Sequence, residues 1–299
     1  MVMKLSKGVG EIQVEDLKYI WKAPDIYNEV IENNIWLIYG RKGSGKSTLV
    51  EYIKSYPANR IVLVLRPEDH KVLQKIISAI ETETKNVGDR EIEMRIENTL
   101  DFILTSQLMR IVCNTILSDT ESEEFKIITK FLQQSQMEGT SVIERAINMI
   151  SDFTGKLILV ENLGKFIDSF KDTITFEQAK EAFITFMASV NQEIVLCIDD
   201  IDEIGFSYSK LDRLFVNGLN IFLLRNNVNY LKKGSNIRII VTMPSELYFH
   251  SNLWGADKLS EKSACLTWSN TQAIQELVNM RIGRLLNIKK RRSGGTAYT

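Results

Sequence analysis

Four short apolar runs stand out along the chain, at 35–39 ("IWLIY"), 60–65 ("RIVLVL"), 194–198 ("IVLCI") and 237–242 ("IRIIVT"), with a shorter one at 264–268 ("ACLTW"). They are brief, rich in β-branched residues and apolar on consecutive positions, which predicts strands covered on both faces. Between them the apolar positions recur at helical spacing, as in "DREIEMRIENTLDFILTSQLMRIVCNTIL" and "TFEQAKEAFITFMASV", both nearly free of Gly and Pro. Strands alternating with helices predict an α/β fold, a parallel sheet flanked by helices, with ligand at the carboxyl ends of the strands. The stretch from about 68 to 192 is long for one connection and reads as a large helical insertion. Within it "KLILVENLGKF", 156–166, is a further strand or buried helix start. "DLKYIWKAPDIYNEVIENN" predicts a helix docking beside the first strand. "NTQAIQELVNMRIGRLLNIKKRR" predicts a helix capped near Ser269 or Asn270, so that about 266–299 forms a short C-terminal helical lid with a basic tail. The expectation is one domain over 1–299.

Composition narrows the classes. Hydrophobic residues make up 44% and charged residues 25% of the 299, the balance of a globular protein with a real core. The formal net charge is −1, so overall charge does not call for nucleic acid. The local run Lys289 to Arg292 keeps nucleic acid or an acidic partner open as a ligand of the tail. No CxxC or Cys/His cluster surrounds Cys113, Cys197 or Cys265, which argues against a zinc site or a disulfide framework. No run of about 18 apolar residues and no signal-peptide core occur, so a cytoplasmic protein without a membrane partner is expected. His70 and His250 lie far apart with no nucleophile and acid around them, which excludes a Ser-His-Asp hydrolase.

The chemistry concentrates after the first strand. "GRKGSGKS", Gly40, Arg41, Lys42, Gly43, Ser44, Gly45, Lys46 and Ser47, fits G-x-x-x-x-G-K-[ST] at every fixed position. A loop of this composition turns its N–H groups inward onto phosphate, and the helix expected to start near Gly45 adds its positive end. Lys46 is expected on the β/γ-phosphates, the Ser47 hydroxyl on Mg²⁺ and Thr48 on the α-phosphate. The expected ligands are ATP and Mg²⁺. A GTPase would carry an [NT]-K-x-D motif after its third strand, and none occurs there.

A P-loop needs an acid at the tip of a neighbouring strand. "EIVLCIDDIDEIG" offers Asp199 as the metal-side residue and Asp200 to orient or deprotonate water, with Glu203 and Asp202 in reserve. Glu161 and Asn162 of the 156–166 segment are the competitors. The next strand carries Thr242, with Ser245 second, as the residue that senses the γ-phosphate. Arg281 and Arg284 are candidates to reach phosphates of this subunit or a neighbour.

With the P-loop, "CIDDIDEIG", "IRIIVTMPSELY" and "CLTWSNTQAIQELVNMRI" in this order, the chain resembles the STAND- and KAP-like bacterial P-loop ATPases. These are cousins of AAA+ proteins, often encoded in antiphage defence systems. The resemblance implies ATP-controlled assembly, a homo-oligomer, and slow hydrolysis that resets it. Asp199 and Asp200 would be the acidic pair of the group's second motif. Two departures stand out: Met243 and Pro244 follow the sensor strand where relatives often place an arginine, and no appended effector domain is evident. The expected toxic activity therefore belongs to a separate partner protein. A DNA-processing motor or loader, or a non-catalytic ATP-binding scaffold, are the alternatives.

Overall fold

The computed structural model describes residues 26–32, 34–55, 60–65, 88–116, 121–134, 174–201, 209–251 and 256–267, with positions 275, 278, 279 and 282. Among them the first half of the chain runs α1 (Ile26–Ile31), β1 (Leu37–Gly40), α2 (Lys46–Ser55), β2 (Arg60–Leu65), α3 (Asp89–Thr115) and α4 (Glu123–Gln134). The second half runs α5 (Phe176–Ser189), β3 (Glu193–Ile198), α6 (Lys210–Lys232), β4 (Ile237–Pro244), α7 (Ser245–His250), α8 (Ala256–Ser260) and β5 (Ser263–Cys265). Each of the five expected strands is present, β2 at the expected residues and the other four displaced by up to three residues at one or both ends. The expected strand or helix at 156–166 and most of the lead-in segment lie outside the described residues.

The strands form one parallel sheet in the order β2-β3-β4-β1-β5. Alternation along each strand divides the core in two. Leu37, Leu196, Ile198, Ile239 and Val241 face the layer built from α3, α4, α5 and α6. Ile38, Val195, Cys197 and Ile240 face the other way, onto Val30 of α1 and Leu49, Val50 and Ile53 of α2. Helices therefore cover both faces, which is why the strands read as continuous apolar runs rather than alternating ones. No helix among the described residues is long and apolar enough to cross a membrane.

Two capping boxes set helix starts: Thr175 with Gln178 opens α5, and Ser209 with Asp212 opens α6. Asn227 of α6 then exchanges two hydrogen bonds of 2.8 Å with the backbone of Ile239, fixing the helix against β4. At the amino end of the sheet the buried Arg238 guanidinium donates to the carbonyls of Val30 and Ile31 and so caps α1. The same guanidinium and Arg60 both bind Glu193. Burial, and then the charge of Arg60, bring the Arg238 pKa down to about 10, which leaves it cationic at neutral pH.

Candidate functional site

The Gly-rich loop joins β1 to α2 at the carboxyl edge of the sheet. Gly43 and Gly45 take φ of +82° and +95°, conformations that side-chain-bearing residues rarely adopt. Gly40 is required for a different reason: a Cβ there would stand 2.6 Å from Ser44 Oγ and 2.7 Å from the Leu266 carbonyl oxygen. The turn is closed by the Ser44 amide donating to the Arg41 carbonyl at 3.0 Å, and Leu49 N–H to Gly45 O opens the helix. Arg41 and Lys42 are exposed at the crest, whereas Ser44, Lys46 and Thr48 are buried.

The Lys46 ammonium curls back under the loop and donates to the carbonyls of Gly40 (3.0 Å) and Arg41 (3.2 Å). A cation is thereby held inside the curve of the loop, beside the first turn of a ten-residue helix. Both features raise the local positive potential at the loop.

Sheet register brings the acids to this loop. Ile198 pairs with Val241 and β1 pairs with the other edge of β4, so residues just beyond β3 stand near Thr242 and the end of β1. Thr242, fully buried on the α2 side of the sheet, donates its hydroxyl to Asp199. The Ser47 hydroxyl donates to Asp200 Oδ1 at 2.9 Å, a contact between residues 153 apart in sequence. Asp200 achieves it with φ of 53°, the only non-glycine positive φ among the described residues. Local strain of this kind persists where the surroundings over-determine it.

The two carboxylates differ in environment. Asp199 is buried, and its pKa is raised, first by burial; the Thr242 hydroxyl pulls it back, and the Asp200 charge pushes it up again. The Asp200 backbone amide also favours its ionised form. Ser47 has one hydroxyl proton, and the direct bond assigns it to Asp200. Asp200 is partly open to solvent.

Lys46, Ser47, Asp199, Asp200 and Thr242 therefore meet at one edge of the sheet. Thr242 is not free to act alone, because its hydroxyl is committed to Asp199. Ser245 starts α7, one turn further on. Asp202, Glu203, Glu161, Asn162, His70, Arg281 and Arg284 lie outside the described residues. Sequence reading missed an aromatic cluster beside the loop: Tyr39 stacks on Tyr248 with centroids 3.9 Å apart, and Phe249, 72% exposed, meets both edge-on. The adjacent "YF" of "SELYFH" was its only signal.

The donor set is one hydroxyl and two carboxylates, all hard oxygens that suit Mg²⁺. Among the described residues no group of three or more His, Cys, Asp or Glu side chains gathers as a metal cage. Comparison with known protein families, with curated proteins and with solved structures found no match. The functional reading rests on the site.

Proposed function

We propose that this chain is a P-loop ATPase that hydrolyses ATP slowly to ADP and phosphate and uses the cycle as a switch. The observation that carries the reading is the meeting of Ser47 with the Asp199–Asp200 pair at the strand ends, beside the buried Lys46. Those are the parts that grip a triphosphate tail, and they come from segments far apart in sequence.

In this reading the loop amides and Lys46 bind the phosphates and neutralise the charge that develops on their oxygens. Ser47 with Asp199 would hold Mg²⁺, which would supply positive charge to stabilise the phosphates. Asp200, the more open carboxylate, orients the attacking water and accepts its proton. Thr242 is a positioning residue: it fixes the rotamer of Asp199 and keeps that buried carboxylate hydrogen-bonded. The output, a change of assembly or of a separate effector's state, and a place in antiphage defence, follow the resemblance to STAND- and KAP-like ATPases.

The test is ATP binding and turnover with Lys46→Ala and Asp200→Asn. Lys46→Ala should lose binding by at least about 100-fold. Asp200→Asn should bind ATP while turnover falls by about 100-fold or more, the scale for loss of a general base. Wild-type turnover in Asp200→Asn would make the chain a scaffold or move the base elsewhere. A wild-type protein that binds no ATP would end the reading altogether.

A further inference from the structure

We propose that the aromatic cluster beside the Gly-rich loop, Tyr39, Tyr248 and Phe249, is the platform on which the purine base of the bound nucleotide stacks. The inference rests on the nucleotide reading above and adds to it the recognition of the base. Phe249 is 72% exposed, more than any other large apolar side chain among the described residues. A lone exposed apolar side chain asks for no explanation, but Phe249 is not alone. Its ring centroid lies 5.7 Å from that of Tyr39 and 5.2 Å from that of Tyr248, and those two rings are parallel within 2°.

The fold holds this cluster at the loop. Tyr39 immediately precedes Gly40, where the loop begins, and its carbonyl accepts the Leu266 N–H at 2.7 Å. Tyr248 and Phe249 sit on α7, which leaves β4 at Pro244. Pro244 pairs with Gly40 in the parallel sheet, so α7 starts at the same edge as the loop. The buried Leu247 anchors α7 in the core, and the Ser251 hydroxyl donates to the Tyr248 carbonyl at 2.7 Å. Tyr39 and Tyr248 are half-buried and brace each other, so Phe249 has a fixed backing and turns most of its ring to solvent.

A nucleotide carries its base on a short tether from the phosphates. With the phosphates in the loop, the base falls near the end of β1, where this ring stands open. A phenyl ring left in water forgoes the gain of burial, and a flat ligand arriving beside the loop recovers it. An aromatic face grips a base by area rather than by its polar edge, which favours the larger purine. The rigid backing means that little must be ordered on binding.

Calorimetric titration of the full chain with ATP, CTP and inorganic tripolyphosphate, each with Mg²⁺, tests the platform. The wild type should bind ATP more tightly than CTP, and CTP more tightly than tripolyphosphate. Phe249→Ala should weaken ATP binding about 5- to 150-fold, the scale for losing one stacked base, and leave tripolyphosphate binding unchanged. Phe249→Trp, which keeps an aromatic face, should bind ATP at least as tightly as the wild type. Undiminished ATP affinity in Phe249→Ala would overturn the proposal and give the ring to another partner. Equal losses for ATP and tripolyphosphate would overturn it too, because the ring would then be shaping the loop. A wild type that holds ATP and tripolyphosphate equally well removes the platform and leaves the phosphate site standing. One that binds neither ends the nucleotide reading, and this inference with it.

Discussion

Asp200 shows how much one backbone conformation carries. Its φ of 53° aims the carboxylate at Ser47, and only Asn and Asp among side-chain-bearing residues take this region at low cost. Asp200→Asn should therefore leave the thermal midpoint nearly unchanged, whereas Asp200→Val should cost about 1–2 kcal/mol by chemical denaturation. An Asn variant that melts far below the wild type would show the carboxylate to be structural. Gly40 carries a second consequence. An added methyl meets Leu266 O and Ser44 Oγ at 2.7 and 2.6 Å, one of them backbone, so the loop and the end of β5 must separate. Gly40→Ala should lower stability by about 1–3 kcal/mol, the range for overpacking, and weaken nucleotide binding with it. Urea melts and ATP titration of the same variant read both effects.

At the scale of elements, the helical layer is set by how closely α3 and α6 cross. A Cβ on Gly218 would stand 2.7 Å from Ile96 Cβ and 2.9 Å from the Glu93 carbonyl oxygen, so the helices touch nearly backbone to backbone. Gly218→Ala should cost about 1–3 kcal/mol, and Ile96→Ala in the same chain should recover part of it, a coupling that a double-mutant cycle measures. One turn further along α3, buried Glu97 pairs with Arg225 of α6. Burial raises the Glu97 pKa, and the Arg225 bond only partly offsets this. Stability tied to the protonated form is then complete below about pH 4, the unfolded value, and is lost as pH rises through the higher folded value. Glu97→Gln should melt a few degrees above the wild type at pH 7, with the gap closing toward pH 4. An equal gap at both pH values would refute the assignment.

At the scale of the whole molecule, the strand order puts β4 between the loop-bearing β1 and the acid-bearing β3. One rigid sheet edge therefore aligns all three contributors, and a ligand that grips them ties the order together. By mass action, ATP at about 100 times its dissociation constant should add about 2.7 kcal/mol, read as a rise in melting temperature. The rise should need Mg²⁺ and vanish in Lys46→Ala. A rise that survives Lys46→Ala would place the ligand elsewhere.

The strands are legible in the sequence because each is buried on both faces and so spells a short unbroken apolar run. The loop is legible because Gly43 and Gly45 occupy conformations that almost demand glycine, and Lys46 and Ser47 follow at fixed spacing. The helix at 89–115 follows from the 3.6-residue period, and those at 176–189 and 210–232 from the same period with capping boxes at their starts. Strand order is not legible, since a run of Val and Ile records burial and not which strand lies beside it. That order decides that Thr242 reaches Asp199 and that Ser47 reaches Asp200. Local chemistry depends on neighbours along the chain, so sequence alone carries it; the pairing of distant residues depends on packing and register, which only the folded molecule supplies.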